Sequence, residues 1–154
     1  AARTGTLKAR QRIDAWIRHL ALCADGYDED TILIYRDNKR TAAKETIFNV
    51  PAEQAHKHLS HLVALYTRGL AEPLLFLPEA AYEFATNGSL ADAKKKFLND
   101  NPGSEFNDRY YNRLFNLPQQ LNDQFAAIAS DIWQPLIDGT PSYPVRYNPT
   151  KFWC

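Results

Sequence analysis

Apolar residues recur at helical spacing between Pro51 and Pro78, the most regular stretch of the chain. This spacing predicts one amphipathic helix. Gly69 is placed to take the left-handed conformation that ends a helix, and Pro73 prevents the helix from resuming. We therefore expect a central helix about which the other helices pack, followed by an extended apolar segment. The predicted stripe consists of Ala55, Leu59, Leu62, Val63, Tyr66 and Leu70.

The rest of the chain also alternates between regular patterns and turn-like composition. Helical periodicity predicts further helices over 6–24, 79–86, 89–98, 108–115 and 121–133. Two runs over 31–36 and 41–49, joined by a polar turn, predict a β-hairpin. Residues 1–5 have no pattern and are expected to be a polar lead, and Pro135 is expected to bend or end the last helix. The expected fold class is α+β, mostly helical with one β-hairpin.

The end of the chain differs in composition from the rest. Residues 139–154 are rich in proline and aromatic residues and have no period. We predict one domain over 1–138 and an extended tail over 139–154. The tail is expected to dock onto the domain or onto a partner; stacking on single-stranded bases is the weaker alternative. Its aromatic residues are Tyr143, Tyr147, Phe152 and Trp153.

Composition narrows the class of protein. With 154 residues the chain has room for one domain, and eighteen acidic residues balance eighteen basic ones. No global field therefore draws it to nucleic acid or membrane. No apolar run approaches the length that spans a bilayer, and Cys23 and Cys154 are too few for a disulfide scaffold, so a cytoplasmic location is expected. Because methionine is absent, we expect a piece of a longer polypeptide.

The first helix carries the strongest local charge bias. Lys8, Arg10 and Arg12 lie within its first turns and are our candidates for contact with DNA or with a partner protein. The alternative is a solvated helix flank, which charge runs usually are.

Two patterns resemble catalytic or metal sites. His58 and His61 share a helix face, but no third ligand completes a zinc site at suggestive spacing. Asp37-Asn38-Lys39 resembles the acid–x–lysine element of Mg²⁺-dependent PD-(D/E)xK nucleases. Asn38 is polar where that buried strand needs an apolar residue, and a hairpin turn explains the triplet better. We therefore expect no catalytic residues, no metal and no cofactor, and no enzyme activity in this domain alone.

Several segments, in the expected order, resemble one family. These segments are residues 8–20 (KARQRIDAWIRHL), 53–55 (EQA), 65–69 (LYTRG), 72–74 (EPL), 108–114 (DRYYNRL) and 133–136 (WQPL). Together they resemble the C-terminal domain of the gamma chain of bacterial exodeoxyribonuclease V, the RecC family of the RecBCD helicase–nuclease.

The resemblance implies a role without catalysis. In that family this region resembles a degenerate PD-(D/E)xK nuclease-like domain that has lost its metal-binding acids. The implied function is that of a scaffold or partner-contact domain in double-strand-break repair by homologous recombination. It would contact RecD- and RecB-type subunits and meet forked DNA through the complex. The alternative is a DNA-binding module that uses the basic first helix.

Overall fold

The computed structural model describes residues 2–36, 43–99, 105–115 and 119–139. The predicted fold class, α+β and mostly helical with one β-hairpin, is confirmed. The predicted tail from residue 140 onward and the Asp37–Lys39 triplet lie outside the described residues. In chain order the elements are β1 (Ala2–Thr6), α1 (Ala9–Ala24), β2 (Thr31–Arg36), β3 (Ala43–Phe48), α2 (Ala52–Ala71), α3 (Pro78–Asn87), α4 (Leu90–Phe97), a 3₁₀ turn (Glu105–Asn107), α5 (Arg109–Leu114) and α6 (Asp123–Asp138).

The three strands form one sheet in the order β1-β2-β3. Strands β2 and β3 form the predicted antiparallel hairpin, with Thr31 opposite Phe48 and Arg36 opposite Ala43. Strand β1 pairs with β2 in parallel. The prediction of a polar lead was therefore wrong, because an edge strand is held by backbone pairing and needs no apolar alternation.

Strand β1 also moves the start of the first helix. Thr6, where the first helix was predicted to begin, belongs to the strand, and α1 begins at Ala9. At this start the backbone N–H of Lys8 donates to Oε1 of Gln11 over 3.1 Å. The helix is thus capped from its own first turn.

The core lies among α1, α3, α4 and α6, and α1 packs on the sheet through Trp16 and His19, whose rings lie against Phe48. Helix α3 packs against α6 and α4, and α1 packs against α2. The largest fully buried side chains include Trp133, Phe48, Phe97, Phe125 and Leu20. Trp133 meets the Tyr82 ring edge-on, with centroids 4.8 Å apart. Aromatic packing of this kind accounts for much of the buried apolar surface.

Helix α2 differs from its prediction in its end and in its burial. It runs through Gly69 to Ala71, and Glu72 is extended at φ −141°. Pro73 causes this end, because a residue before proline disfavours the helical conformation. The expectation that α2 forms the core was also wrong. Of the α2 side chains, all of which the structure describes, Ala55 alone is buried.

Helix α6 continues through Pro135 to Asp138, so Pro135 does not end it. The proline removes one backbone hydrogen bond, but only the last turn follows it, and that turn closes with Gly139 N–H donating to the Pro135 carbonyl over 3.0 Å. Gly139 is then fixed by Asn49, whose N–H donates to its carbonyl over 3.1 Å. Among the described residues no helix is long and apolar enough to cross a membrane.

Candidate functional site

The three predicted contact residues lie in different surroundings. Lys8 and Arg10 are exposed at the start of α1. Arg12 is half-buried, and its guanidinium lies 5.4 Å from the Tyr35 ring centroid and 5.1 Å from that of Tyr82. Arg12 thus joins α1 to β2 and α3 by cation–π packing. The side chains that remain open to a partner at this helix start are Lys8 and Arg10.

Two carboxylates, Glu79 and Glu105, accept hydrogen bonds at the starts of two helices, and Arg10 lies near enough to Glu105 to interact with it electrostatically. Glu79 Oε1 accepts from the Ala9 N–H over 2.9 Å, at the start of α1. The Glu105 carboxylate accepts from the N–H groups of Glu79 and Ala80, over 2.7 and 3.1 Å, at the start of α3. Each carboxylate satisfies N–H groups that a helix start leaves without a partner.

Burial raises the pKa of Glu105, and the two N–H donors oppose that rise. Nearby, the Tyr111 hydroxyl donates to the Phe76 carbonyl over 2.8 Å, and burial raises the pKa of this phenol. These groups hold α5 and the 3₁₀ turn against α3. Their hydrogen bonds are directed at backbone groups, so they position these elements relative to one another.

The two histidines considered as zinc ligands face different neighbours. His58 packs against Trp16, with ring centroids 6.3 Å apart, and burial lowers its pKa. His61 is exposed, and its Nε2 lies 3.9 Å from Asp131 Oδ2. The interpretation of a fully solvated face thus holds for His61 and not for His58. Within the part of the chain that the structure describes, no three His, Cys, Asp or Glu side chains are grouped to hold a metal ion.

His19, which the sequence patterns did not single out, is fully buried. Its Nδ1 lies 3.0 Å from Thr31 Oγ1, and its Nε2 lies 3.5 Å from Cys23 Sγ. The ring also packs near Phe48, with centroids 5.9 Å apart. Burial lowers the pKa of His19 and raises that of the Cys23 thiol. The neutral imidazole therefore ties α1 to the sheet, and the protonated thiol is a poor nucleophile.

This burial gives a testable pH dependence. The folded chain holds His19 below its usual pKa of 6.5, so the unfolded chain binds the proton more tightly. Stability is fully present above pH 6.5 and falls as the pH drops below it. His19→Phe should reduce that slope by up to about 1.4 kcal/mol per pH unit. The measurement is the free energy of unfolding in urea between pH 5 and 7.5. His61→Phe is the matched control, and equal slopes in all three proteins would contradict the assignment.

The second half of α2 exposes a run of apolar side chains. In the first half, Ala55 is buried and Leu59 and Leu62 pack against the core. The same stripe then continues without cover. Val63, Tyr66 and Leu70 are 61%, 68% and 71% exposed. We call these three residues the outer stripe.

Beside the outer stripe lies a depression that we call the apolar groove, with a volume of about 200 Å³. It opens between α2, the extended segment after Pro73, and α6. Its lining is almost wholly hydrocarbon, so it can accept an apolar or aromatic group but offers no chemistry. The residues that line it are Ile13, Leu62, Leu65, Tyr66, Leu74, Phe76, Ile128 and Ile132.

Comparison with known proteins identifies this chain by family. The model of the RecC C-terminal domain matches residues 1–89, which include the sheet, α1, α2 and α3. The chain belongs to the RecC C-terminal domain family. A relative is the RecBCD enzyme subunit RecC of Escherichia coli (strain K12), with 31% identity over 134 residues. That alignment covers 73% of this chain and 11% of the relative, so the chain spans a small part of the length of the subunit it matches.

Proposed function

We propose that this chain is a non-catalytic partner-contact domain of a RecBCD-type enzyme that acts in DNA double-strand-break repair. Its partners would be RecD- and RecB-type subunits, and it would meet DNA through the assembled complex in the cytoplasm. The observation that carries the proposal is the outer stripe of α2. The family and the E. coli relative, a subunit of the RecBCD enzyme by name, support the setting.

The outer stripe suits a subunit interface on physical grounds. A continuous apolar stripe that is packed in one half of a helix and bare in the other typically marks a surface that meets another protein. Permanent interfaces resemble a domain core cut in half, and tyrosine is enriched among the residues that dominate their affinity. Tyr66 lies between Val63 and Leu70 on this stripe.

The rest of the chain supports a structural role. The carboxylates of Glu79 and Glu105 accept backbone N–H groups, and Arg12 packs between two aromatic rings. We propose the domain over 1–138 and the tail over 139–154 as its working units, with no cofactor. The relation to PD-(D/E)xK nucleases belongs to the same proposal.

The direct test is co-purification. The chain, co-expressed with its RecB- and RecD-type subunits, should remain bound to at least one of them in salt high enough to screen surface charges, because the proposed contact is apolar. If the chain co-purified with neither subunit, the proposed partner-contact function would be wrong.

The alternative function, a DNA-binding module, rests on the two exposed cations at the start of α1. It predicts that the isolated chain binds forked DNA with a steep salt dependence. Lys8→Gln with Arg10→Gln should then weaken binding. Arg12→Gln should act through stability, because its guanidinium packs on Tyr35 and Tyr82. Tight DNA binding that is lost in the Lys8/Arg10 variant would favour the module over the partner-contact domain.

A further inference from the structure

We propose that an extended, uncharged segment of the partner subunit pairs as a β-strand with the backbone of Leu74. This inference rests on the proposed function, because it names a second contact made by the same RecB- or RecD-type subunit. It differs from the first in kind, since the contact is backbone hydrogen bonding and not apolar packing.

The segment between α2 and α3 has the conformation of a strand but belongs to none of the described strands. Glu72 lies at φ −141° and ψ 143°, and Leu77 lies at φ −101° and ψ 102°, so both ends are extended. Burial alternates as in a half-buried strand. Leu75 and Leu77 are buried, and Leu74 and Phe76 are half-buried. The segment is therefore a single strand with two edges.

One edge of this segment carries backbone groups that are open to a partner. In an extended chain the N–H and C=O of one residue point to the same side, and those of the next residue point to the opposite side. The Tyr111 hydroxyl donates to the Phe76 carbonyl over 2.8 Å, so this carbonyl faces α5. The N–H and C=O of Leu74, two residues earlier, face the same side, and neither bonds to a described residue. They form the donor and acceptor pair that a neighbouring strand engages.

A slot beside Leu74 has room for an extended chain. It lies between the extended segment, the end of α5 and the start of α6, and its volume is about 360 Å³. Ligand pockets typically measure about 300–1,000 Å³. The floor of the slot is apolar, since Leu75 and Phe125 are buried. We call it the amide slot, after the side-chain amides of Gln120 and Gln124 that line it.

The chemistry of the amide slot fits a peptide backbone. A glutamine side chain offers donors and an acceptor, as a peptide group does. Gln120 and Gln124 are exposed, and their side chains bond to no other residue in the described part of the chain. Of the described residues that line the slot, Glu72 alone is ionisable, and Arg68 pairs with it over 2.8 Å. Because the walls are otherwise neutral, the slot favours an uncharged segment.

The amide slot is continuous with the proposed interface. Leu74 lines both the slot and the apolar groove. Tyr66 lines the groove and belongs to the outer stripe. A subunit that packs on the outer stripe therefore reaches the slot across the groove. Strand addition is a general mode of peptide recognition, in which main-chain hydrogen bonds supply affinity and neighbouring pockets supply specificity.

Amide hydrogen exchange tests this pairing in the complex of the chain with the subunit that co-purifies with it. Exchange is read at single residues by mass spectrometry, with and without the subunit. Binding should slow exchange at the Leu74 N–H by at least about tenfold, because a hydrogen-bonded amide exchanges only when the pairing opens. The Leu75 N–H points to the opposite side and should change little. Packing without strand pairing would slow both amides or neither.

A pair of matched variants on α6 tests the slot itself. Gln124→Ala removes a side-chain amide from the slot and should weaken binding of the subunit about three- to tenfold, the effect of one hydrogen bond. Gln134→Ala removes the same amide from an exposed position of α6 outside the slot and should bind normally. Equal affinity of the two variants would contradict the proposal.

The exchange results separate this proposal from the proposed function. Unchanged exchange at Leu74 in a complex that has formed, or equal slowing at Leu74 and Leu75, would overturn the strand pairing and leave the proposed function standing. If no complex forms, both are wrong. Slow exchange at Leu74 in the isolated chain would also overturn the proposal. It would assign the slot to another segment of this chain if the rate were constant on dilution, and to a second copy of the chain if it were not.

Discussion

Trp133→Ala should lower the free energy of unfolding by about 3–5 kcal/mol, the usual cost of removing a large aromatic side chain from a core. The Trp133 ring is fully buried on α6 and meets Tyr82 edge-on across the α3–α6 contact. Alanine would leave a cavity between the two helices that hold the core together. Urea denaturation measured by far-ultraviolet circular dichroism gives the difference directly.

Gln134→Ala is the matched control for that change. Gln134 is the next residue on the same helix, is exposed, and its side-chain amide donates to Asp138 Oδ1 over 2.9 Å on the surface. Its replacement should change stability by less than about 0.5 kcal/mol. A Trp133→Ala variant as stable as the Gln134→Ala variant would contradict the packing of α6 described above.

Gly139→Ala should destabilise the fold by about 1–3 kcal/mol, although it adds one methyl group. A Cβ at this position would lie 2.7 Å from Trp16 and 3.0 Å from Val50, both buried, and 3.1 Å from the Pro135 carbonyl oxygen. None of these neighbours is a flexible chain end that can move aside. The end of α6 would therefore be pushed away from α1 and from the residues after β3.

Gly69→Ala provides the opposite expectation with the same chemical change. Gly69 lies inside α2, and its added Cβ would meet only the Leu74 side chain at 3.6 Å, an ordinary contact. Alanine in a helix interior is favoured over glycine by about 0.5–1 kcal/mol, so this variant should be more stable than the parent. In the structure α2 continues through Gly69. If Gly69→Ala lowered the stability, that result would contradict this helical conformation and would favour the helix end that the sequence predicted at Gly69.

Local signals in the sequence were sufficient for most elements. The helix predicted over 89–98 is α4, and its start is set locally, because Ser89 Oγ accepts the Asp92 N–H over 3.1 Å. The polar turn between two β-branched runs correctly predicted the hairpin. In both cases the cause lies within a few residues of chain, and such causes are visible in sequence.

Other features depend on partners that are distant in sequence. Strand β1 forms by pairing with the edge of β2, and no pattern within residues 2–6 predicts a strand there. The periodicity predicted the apolar stripe of α2, but it could not show that the side chains in the second half of the stripe are exposed. Likewise, the sequence did not distinguish Arg12 from Lys8 and Arg10, because the fold places it against the rings of Tyr35 and Tyr82, which are distant in sequence. Burial depends on tertiary packing, so the spacing of apolar residues predicts which face of a helix is apolar but not whether another element packs against it.

The central claim is that the outer stripe of α2 is the surface by which this domain meets a partner subunit. Its most direct test is the affinity of the chain for the RecB- or RecD-type subunit that co-purifies with it. The doubly substituted Val63→Asp, Leu70→Asp chain is compared with Ala64→Asp, which changes an exposed residue of the same helix outside the stripe. The stripe variant should bind at least about thirtyfold more weakly, as loss of a central apolar contact does, and the control should bind normally. Equal affinity of the two folded variants would contradict the claim.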